Sequence, residues 1–394
     1  MTKPKNGQIM PEQNWKTKLT LLLVSSLTIM SVITISPALP QMSVHFASVD
    51  NAELLVKLIL TVPALFIAIF SPLTGWIIDR YGRLKILTFA IVLYAVSGTA
   101  GYYLENIYHI LLSRAVLGIS VGMSMTIVIT LVADYFEGHE RQKFAGIQVA
   151  FMSIGGILFI GLGGVLADIG WRLTFLIYLF ALIILPLSIL YLYEPPSSLR
   201  QKKIVSSDRS PRLIWILFFN TMLMWILFFI IPVQIPFYLK SIGIEKNSLI
   251  GIAIATSTLF SAISSFSYVR FKDHFSFKMI FTLGFLFMAL GFFLISQSGH
   301  YSGILVAMML SGFGIGMMIP NTNIWVMKIA PIEIRGKEIG KLTMFWFFGQ
   351  FISPIVMLPL LRNLPLGSTF LAASGVLFLF ALAWFVFSWS GRQS

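Results

Sequence analysis

One short run concentrates charge between two apolar stretches: Gly75-Trp76-Ile77-Ile78-Asp79-Arg80-Tyr81-Gly82-Arg83-Leu84-Lys85. Asp79 closes the first stretch, where a carboxylate can accept from neighbouring cations or from a facing helix N-terminus. Gly75 permits close helix approach, Gly82 a tight turn, and Arg83 and Lys85 anchor the next helix. Arg114 stands inside an apolar run, Leu111-Leu-Ser-Arg114-Ala-Val-Leu-Gly118. A guanidinium at membrane depth costs on the order of 3 kcal/mol or more unless paired or hydrated, so it marks either a functional residue or one that snorkels to nearby headgroups. Lys57, near the start of another run, reads as an interfacial anchor. Asp134 and Asp168 lie at the ends of apolar runs and are the acids nearest the membrane interior. Each is a candidate for proton coupling, with a structural role at a helix end as the alternative. No acid falls in the middle of a run, so facilitated diffusion and coupling through substrate ionisation stay open.

Neutral groups must then supply polarity inside the membrane. Thr34, Gln148, Asn220, Gln234, Asn321, Asn323 and Gln350 stand in apolar surroundings, and Trp346 lies beside Gln350. Amides in hydrocarbon demand partners, which a substrate cavity or interhelical hydrogen bonds can provide. A neutral, aromatic pocket suits an amphiphilic or uncharged organic molecule better than an inorganic anion or a phosphorylated sugar. Catalysis finds no support. The nearest thing to a phosphate loop, Arg335-Gly-Lys-Glu-Ile-Gly-Lys341-Leu342, has Arg where the first glycine belongs and Leu where Ser or Thr must reach the metal. There is no cysteine and no histidine–carboxylate metal spacing. Neither an enzyme, nor a metal site, nor a cofactor is expected; a proton gradient is a candidate energy source.

The elements that position these residues follow from composition. Of 394 residues, 57% are hydrophobic and 11% charged, and the mean hydropathy is +0.88. A chain so poor in charge cannot build a water-facing surface. Stretches near 19–41, 54–78, 84–104, 109–133, 144–167 and 173–193 are each long enough to cross a bilayer. They resume near 213–239, 249–270, 279–297, 302–328, 342–361 and 367–390. The first lacks a small-x-small cleavage site and reads as a retained helix. The net charge of +13 gathers on the loops of one face, so it reports orientation rather than nucleic-acid binding. Both termini are expected in the cytoplasm of a multi-pass protein of the plasma (bacterial inner) membrane. Gly118-x-x-x-Gly122-Met123 recurs 194 residues later as Gly312-x-x-x-Gly316-Met317, and Arg141-x-Lys143 meets Arg335-x-Lys337 at the same offset. The expected architecture is therefore all-α: twelve transmembrane helices in two pseudo-symmetric six-helix bundles. The bundles are expected at 1–193 and 213–394, joined by a cytoplasmic linker over 194–212.

The 75–85 run resembles the Gly-x-x-x-Asp-Arg-x-Gly-Arg-x-Lys signature of the major facilitator superfamily. That resemblance implies a conformational latch at Gly75, Asp79, Arg80, Gly82 and Arg83, which gates rather than binds substrate. The second-half counterpart, Tyr268-Val-Arg-Phe-Lys272-Asp273-His274, is a decayed copy with an expected weaker latch. Arg114 resembles the family's fourth-helix Arg-x-x-x-Gly motif, which implies proton or charge coupling. Gly163-Gly164 and Ala167-Asp168-Ile-Gly-Trp171-Arg172 resemble part of the signature of drug/proton antiporters, although Phe159-Ile160 replace Gly-Pro there. Helix packing by small residues explains the glycines equally well. Gly349-Gln350-Phe-Ile-Ser353-Pro354 resembles the corresponding efflux-type helix. Together these imply an alternating-access secondary transporter, expected to be a monomer exporting small amphiphilic organic compounds. The alternatives are an uptake carrier or uniporter for a neutral metabolite, and a non-transporting polytopic protein.

Overall fold

A computed structural model of the chain describes residues 14–195 and 210–390, apart from the side chains of Asp79, Glu333 and Ser390. Most of the linker expected at 194–212 lies outside the described residues. Twelve helices are long and apolar enough to cross a membrane: α1 (Trp15–His45), α2 (Ala52–Ile78), α3 (Arg83–Tyr102), α4 (Ile107–Tyr135), α5 (Gly138–Ile169) and α6 (Trp171–Tyr191), then α7 (Arg212–Ser241), α8 (Asn247–Phe266), α9 (Phe277–Gln297), α10 (Tyr301–Ile329), α11 (Arg335–Asn363) and α12 (Leu366–Trp389). No strand occurs among the described residues. An even number of spans places Trp15 and Trp389 on one face, called the inner face below.

Most spans match the hydropathy reading, and the departures have physical causes. The helices α5 and α11 begin well before the expected 144 and 342, because Arg141, Lys143 and the Arg335–Lys341 stretch continue the helix beyond the apolar zone. A hydropathy window sees where hydrocarbon begins, not where helical hydrogen bonds do. The stretch expected at 249–270 ends at Phe266, and a short separate helix, Tyr268–His274, follows. In α1, Pro37 and Pro40 break the regular ladder, and Ser36–Ala38 forms a 3-10 turn.

The duplication is visible in the packing. A methyl group on Gly118 of α4 would lie 2.4 Å from the Pro63 carbonyl oxygen of α2. On Gly312 of α10 it would lie 2.1 Å from the Ser257 carbonyl oxygen of α8. These contacts are equivalent residue for residue at the 194-residue offset, so the repeat preserves a backbone-on-backbone crossing that only glycine admits. Other pairs repeat likewise: α1 packs on α5 as α7 does on α11, and α3 on α6 as α9 does on α12. Between the halves, α5 packs on α8 and α2 on α11. The fold is thus two pseudo-symmetric six-helix bundles meeting along those two seams.

Among the helices that begin with no capping hydrogen bond from their own N-cap side chain are α3 after Gly82 and α8 after Lys246. Unsatisfied N–H groups at a helix start attract anions. Both starts are served by carboxylates from elsewhere: Glu194 for α3 and Asp168 for α8.

Candidate functional site

A cavity of about 510 Å³ lies between the halves, within the range of small-molecule sites. Its walls come from α1, α4 and α5 of the first half and α7, α8, α10 and α11 of the second. It runs from Val32, Phe229 and Pro232 near mid-membrane to Ser265 and Phe266 at the inner end of α8. Among the described residues no ionisable side chain lines it. Gln148, Asn323, Trp346 and Gln350 do line it, together with Trp225 and Ser257. Gln148 donates to Ser25 Oγ at 2.8 Å, tying α5 to α1. The indoles of Trp225 and Trp346 stack with centroids 4.4 Å apart and planes 18° apart, forming an aromatic wall between α7 and α11.

Four residues read from sequence as cavity candidates lie outside this lining. Thr34 donates to the Met30 carbonyl one turn back at 2.6 Å, the usual way a hydroxyl is satisfied inside a helix. Asn220 accepts from Trp384 Nε1 at 2.8 Å and so ties α7 to α12. Asn321 accepts from the Tyr268 hydroxyl at 3.1 Å and donates to the Phe277 carbonyl at 2.9 Å, bracing the α8–α9 turn. Burial pushes the Tyr268 hydroxyl up to about 12, which keeps it a donor there. Gln234 is buried in the outer part of α7, and neither amide atom has a partner among the described residues.

The outer end of the cavity is closed by contacts that cross between the halves. Asp168 of α5 accepts from the backbone N–H groups of Asn247 at 2.5 Å and Ser248 at 3.1 Å. At the equivalent place in the other seam, Arg362 of α11 donates to Asn51 Oδ1 at 3.1 Å, just before α2. Ser36 donates to the Pro232 carbonyl, joining α1 to α7. Lys57, bonded to Glu53, lies over the Phe237 ring of α7 at 5.0 Å. Lys57 is therefore a buried part of this seal, not the lipid-facing anchor its position suggested. Close glycine packing adds to it: a methyl on Gly164 would lie 2.7 Å from the Asn247 carbonyl oxygen.

Among the described residues, the charged contacts at the inner face stay within one half. Arg83 pairs with Asp134 at 3.0 Å, across α3 and α4. The Glu194 carboxylate accepts from Arg83 N and Leu84 N at 2.9 Å, and the rings of Tyr135 and Tyr193 stack beside it at 4.3 Å. Gly82 turns the chain with φ +87°, and its missing side chain leaves room for that carboxylate, 3.4 Å from where a Cβ would be. In the second half, fully buried Glu338 accepts from Ser210 at 3.0 Å and Lys341 at 2.9 Å. Arg80 is exposed beside the Tyr81 ring, and the Asp79 side chain lies outside the described residues. Gly75 does not serve a close helix approach in this state, for no heavy atom comes within 4 Å of its Cβ position.

Arg114 is fully buried and does not snorkel. Its Nη2 donates to the carbonyls of Ser97 at 3.0 Å and Gly98 at 2.5 Å, in the last turn of the α3 helix. The guanidinium lies over the rings of Phe175 at 4.8 Å and Tyr178 at 4.9 Å. Carbonyls near a helix end and two aromatic faces partly compensate this charge, while Nε and Nη1 have no partner among the described residues. It sits among α3, α4 and α6, away from the cavity lining.

The sequence profile of the Major Facilitator Superfamily matches residues 21–249 and again 217–392. The chain belongs to this superfamily. The quinolone resistance protein NorA of Staphylococcus aureus (strain MSSA476) is 26% identical over 307 residues, covering 73% of this chain and 76% of that protein. The bacillibactin exporter of Bacillus subtilis (strain 168) is 25% identical over 371 residues, 87% of this chain and 90% of the exporter. Among solved structures, the POT family transporter PepTSo superposes with a TM-score of 0.77 at 12% identity, covering 97% of this chain and 99% of that one. A D-xylose-proton symporter gives 0.74 at 18% identity, with 94% and 97% covered. These likenesses show the fold. Members of the family are transporters of small molecules rather than enzymes.

Proposed function

We propose that the chain is a secondary transporter that exports small amphiphilic organic compounds across the plasma membrane by alternating access. The observation that carries this is the asymmetry of the two faces. Cross-half contacts seal the outer end of the cavity, whereas the described charged contacts at the inner end stay within a half. The halves, expected at 1–193 and 213–394, rock about the cavity, with the inner face in the cytoplasm. The open face at Gly75 closes against α11 when the outer seams part. Gln41 Oε1 and both amide atoms of Gln234 are buried toward the outer face without partners among the described residues, a cost that opening to water relieves. Export rather than uptake is favoured by the likeness to the bacillibactin exporter and to a quinolone resistance protein.

A proton gradient supplies the energy. With no ionisable group on the cavity wall, the proton acts at the outer seal: Asp168 accepts two backbone hydrogen bonds as a carboxylate, and protonation weakens that cap. The chain works as a monomer in the bilayer and needs no cofactor. The test is flux in everted and right-side-out vesicles containing the protein, with imposed pH gradients of either sign and a panel of fluorescent amphiphiles. The expected result is accumulation in everted vesicles with an acidic lumen. Accumulation only in right-side-out vesicles would make the protein an uptake carrier, and gradient-independent equilibration would make it a uniporter.

A further inference from the structure

Three residues that line the cavity each carry a buried polar atom with no hydrogen-bond partner among the described residues: Trp225 Nε1, Gln350 Oε1 and Ser257 Oγ. The residues are 7%, 4% and 1% exposed. Leaving a buried donor or acceptor unpaired is costly, so such atoms inside a binding cavity point to a ligand that supplies the partner. The backbone around two of them is pinned. A methyl on Gly349, adjacent to Gln350, would lie 2.5 Å from the Met222 carbonyl oxygen. Ser353 Oγ donates to the Ile226 carbonyl, next to Trp225, at 2.7 Å. The donor of Trp225 and the acceptor of Gln350 are thus presented from two helices locked together, beside the flat Trp225–Trp346 stack. The first half does not repeat them: the equivalent positions are Ser31, whose hydroxyl bonds to the Thr28 carbonyl, and Gly156.

We infer that Trp225 and Gln350 form a one-sided recognition subsite for uncharged, flat aromatic compounds that carry a hydrogen-bond acceptor and an adjacent N–H or O–H donor. Trp225 Nε1 donates to the acceptor, Gln350 Oε1 accepts from the donor, and the indole pair supports the ring. A charged compound is disfavoured because nothing on the wall compensates its charge once water is removed. This rests on the cavity being the transport site. It is tested by equilibrium binding without a gradient, so its failure is distinct from failure of vesicle transport.

The probe is dansylamide, which is uncharged at neutral pH and carries sulfonyl acceptors beside an N–H donor on a naphthalene ring. Its emission, excited through tryptophan, is titrated with purified protein in detergent. The expected order is dansylamide tightest, with its N,N-dimethyl analogue (no donor) and its trimethylammonium-ethyl and glycine derivatives weaker by about tenfold. Gln350→Leu weakens dansylamide to the level of the dimethyl analogue and leaves that analogue unchanged. Trp225→Phe, which keeps a ring but loses the donor, weakens both alike. Gln350→Glu reverses the charge order in favour of the trimethylammonium derivative, and serves if the leucine variant does not fold. Absence of dansylamide binding up to its solubility overturns the assignment. So does cationic binding as tight as neutral in the wild type, or equal weakening of both neutral probes by Gln350→Leu.

Discussion

The turns that end α2 and α8 occupy equivalent places in the duplicated fold and are held together by different physics. In the first, Arg83 and Asp134 form an ion pair with side chains only 7% and 13% exposed, and Glu194 caps the start of α3. In the second, the residues at the same offset are Phe277 and Lys328, and the Lys328 ammonium lies over the Phe277 ring at 5.7 Å. Lys272 approaches the same ring at 4.3 Å, while Lys278 donates to the Phe387 carbonyl at 2.9 Å. One backbone plan thus carries a directional, largely buried ionic network in one half and softer cation–aromatic contacts in the other. Removing one member of a buried pair strands the other charge, whereas an exposed lysine lifted off a ring returns to water. The first turn is therefore the one whose integrity the molecule depends on.

That contrast can be broken from its strong side first. Asp134→Ala leaves Arg83 only the more distant Glu194 carboxylate at 3.9 Å and is expected to cost about 3 kcal/mol, read as the largest fall in thermal midpoint of the purified protein. A midpoint like that of wild type would remove the distinction between the turns. Next, Glu194→Gln weakens the cap on α3 and is expected to cost about 1 kcal/mol by the same measurement. Installing the pair in the second half, Phe277→Arg with Lys328→Asp, sharpens the comparison through a double-mutant cycle. The two changes together are expected to be less harmful than the sum of the single ones, and strict additivity would show that the second turn cannot hold the pair. The smallest effect is expected from Lys328→Ala, below about 1 kcal/mol; a loss equal to that of Asp134→Ala would contradict the comparison.

The architecture was legible because hydrocarbon imposes a length and a composition that no other environment does, and because glycines at Gly118 and Gly312 share an offset. The first-half turn was legible from its dense charge. What sequence could not show is where buried polar groups find partners. Arg114 reads as a coupling or snorkelling residue, and its burial against the carbonyls of Ser97 and Gly98 removes the snorkelling alternative. Asn220 and Asn321 looked like cavity amides, but their partners, Trp384 and Tyr268, are distant in sequence. Glu194 gave no sign of capping α3, since its target is backbone. Asp168 and Arg362 share the 194-residue offset, a sequence signal that marks the two outer seams together. Ser257 and Trp225 became cavity polar atoms only through the absence of protein partners, a property no residue type announces.

The central claim is that the outer and inner faces open in opposition. The native chain has no cysteine, so spin labels can be placed without background at exposed Ser48 and Lys246 across the outer face, and at exposed His139 and Lys337 across the inner. Double electron–electron resonance on the two labelled proteins in lipid, at neutral and acidic pH with and without a transported amphiphile, measures both gaps. The account predicts that the outer distance lengthens whenever the inner one shortens. Two distances that stay fixed under every condition, or that lengthen and shorten together, would contradict it.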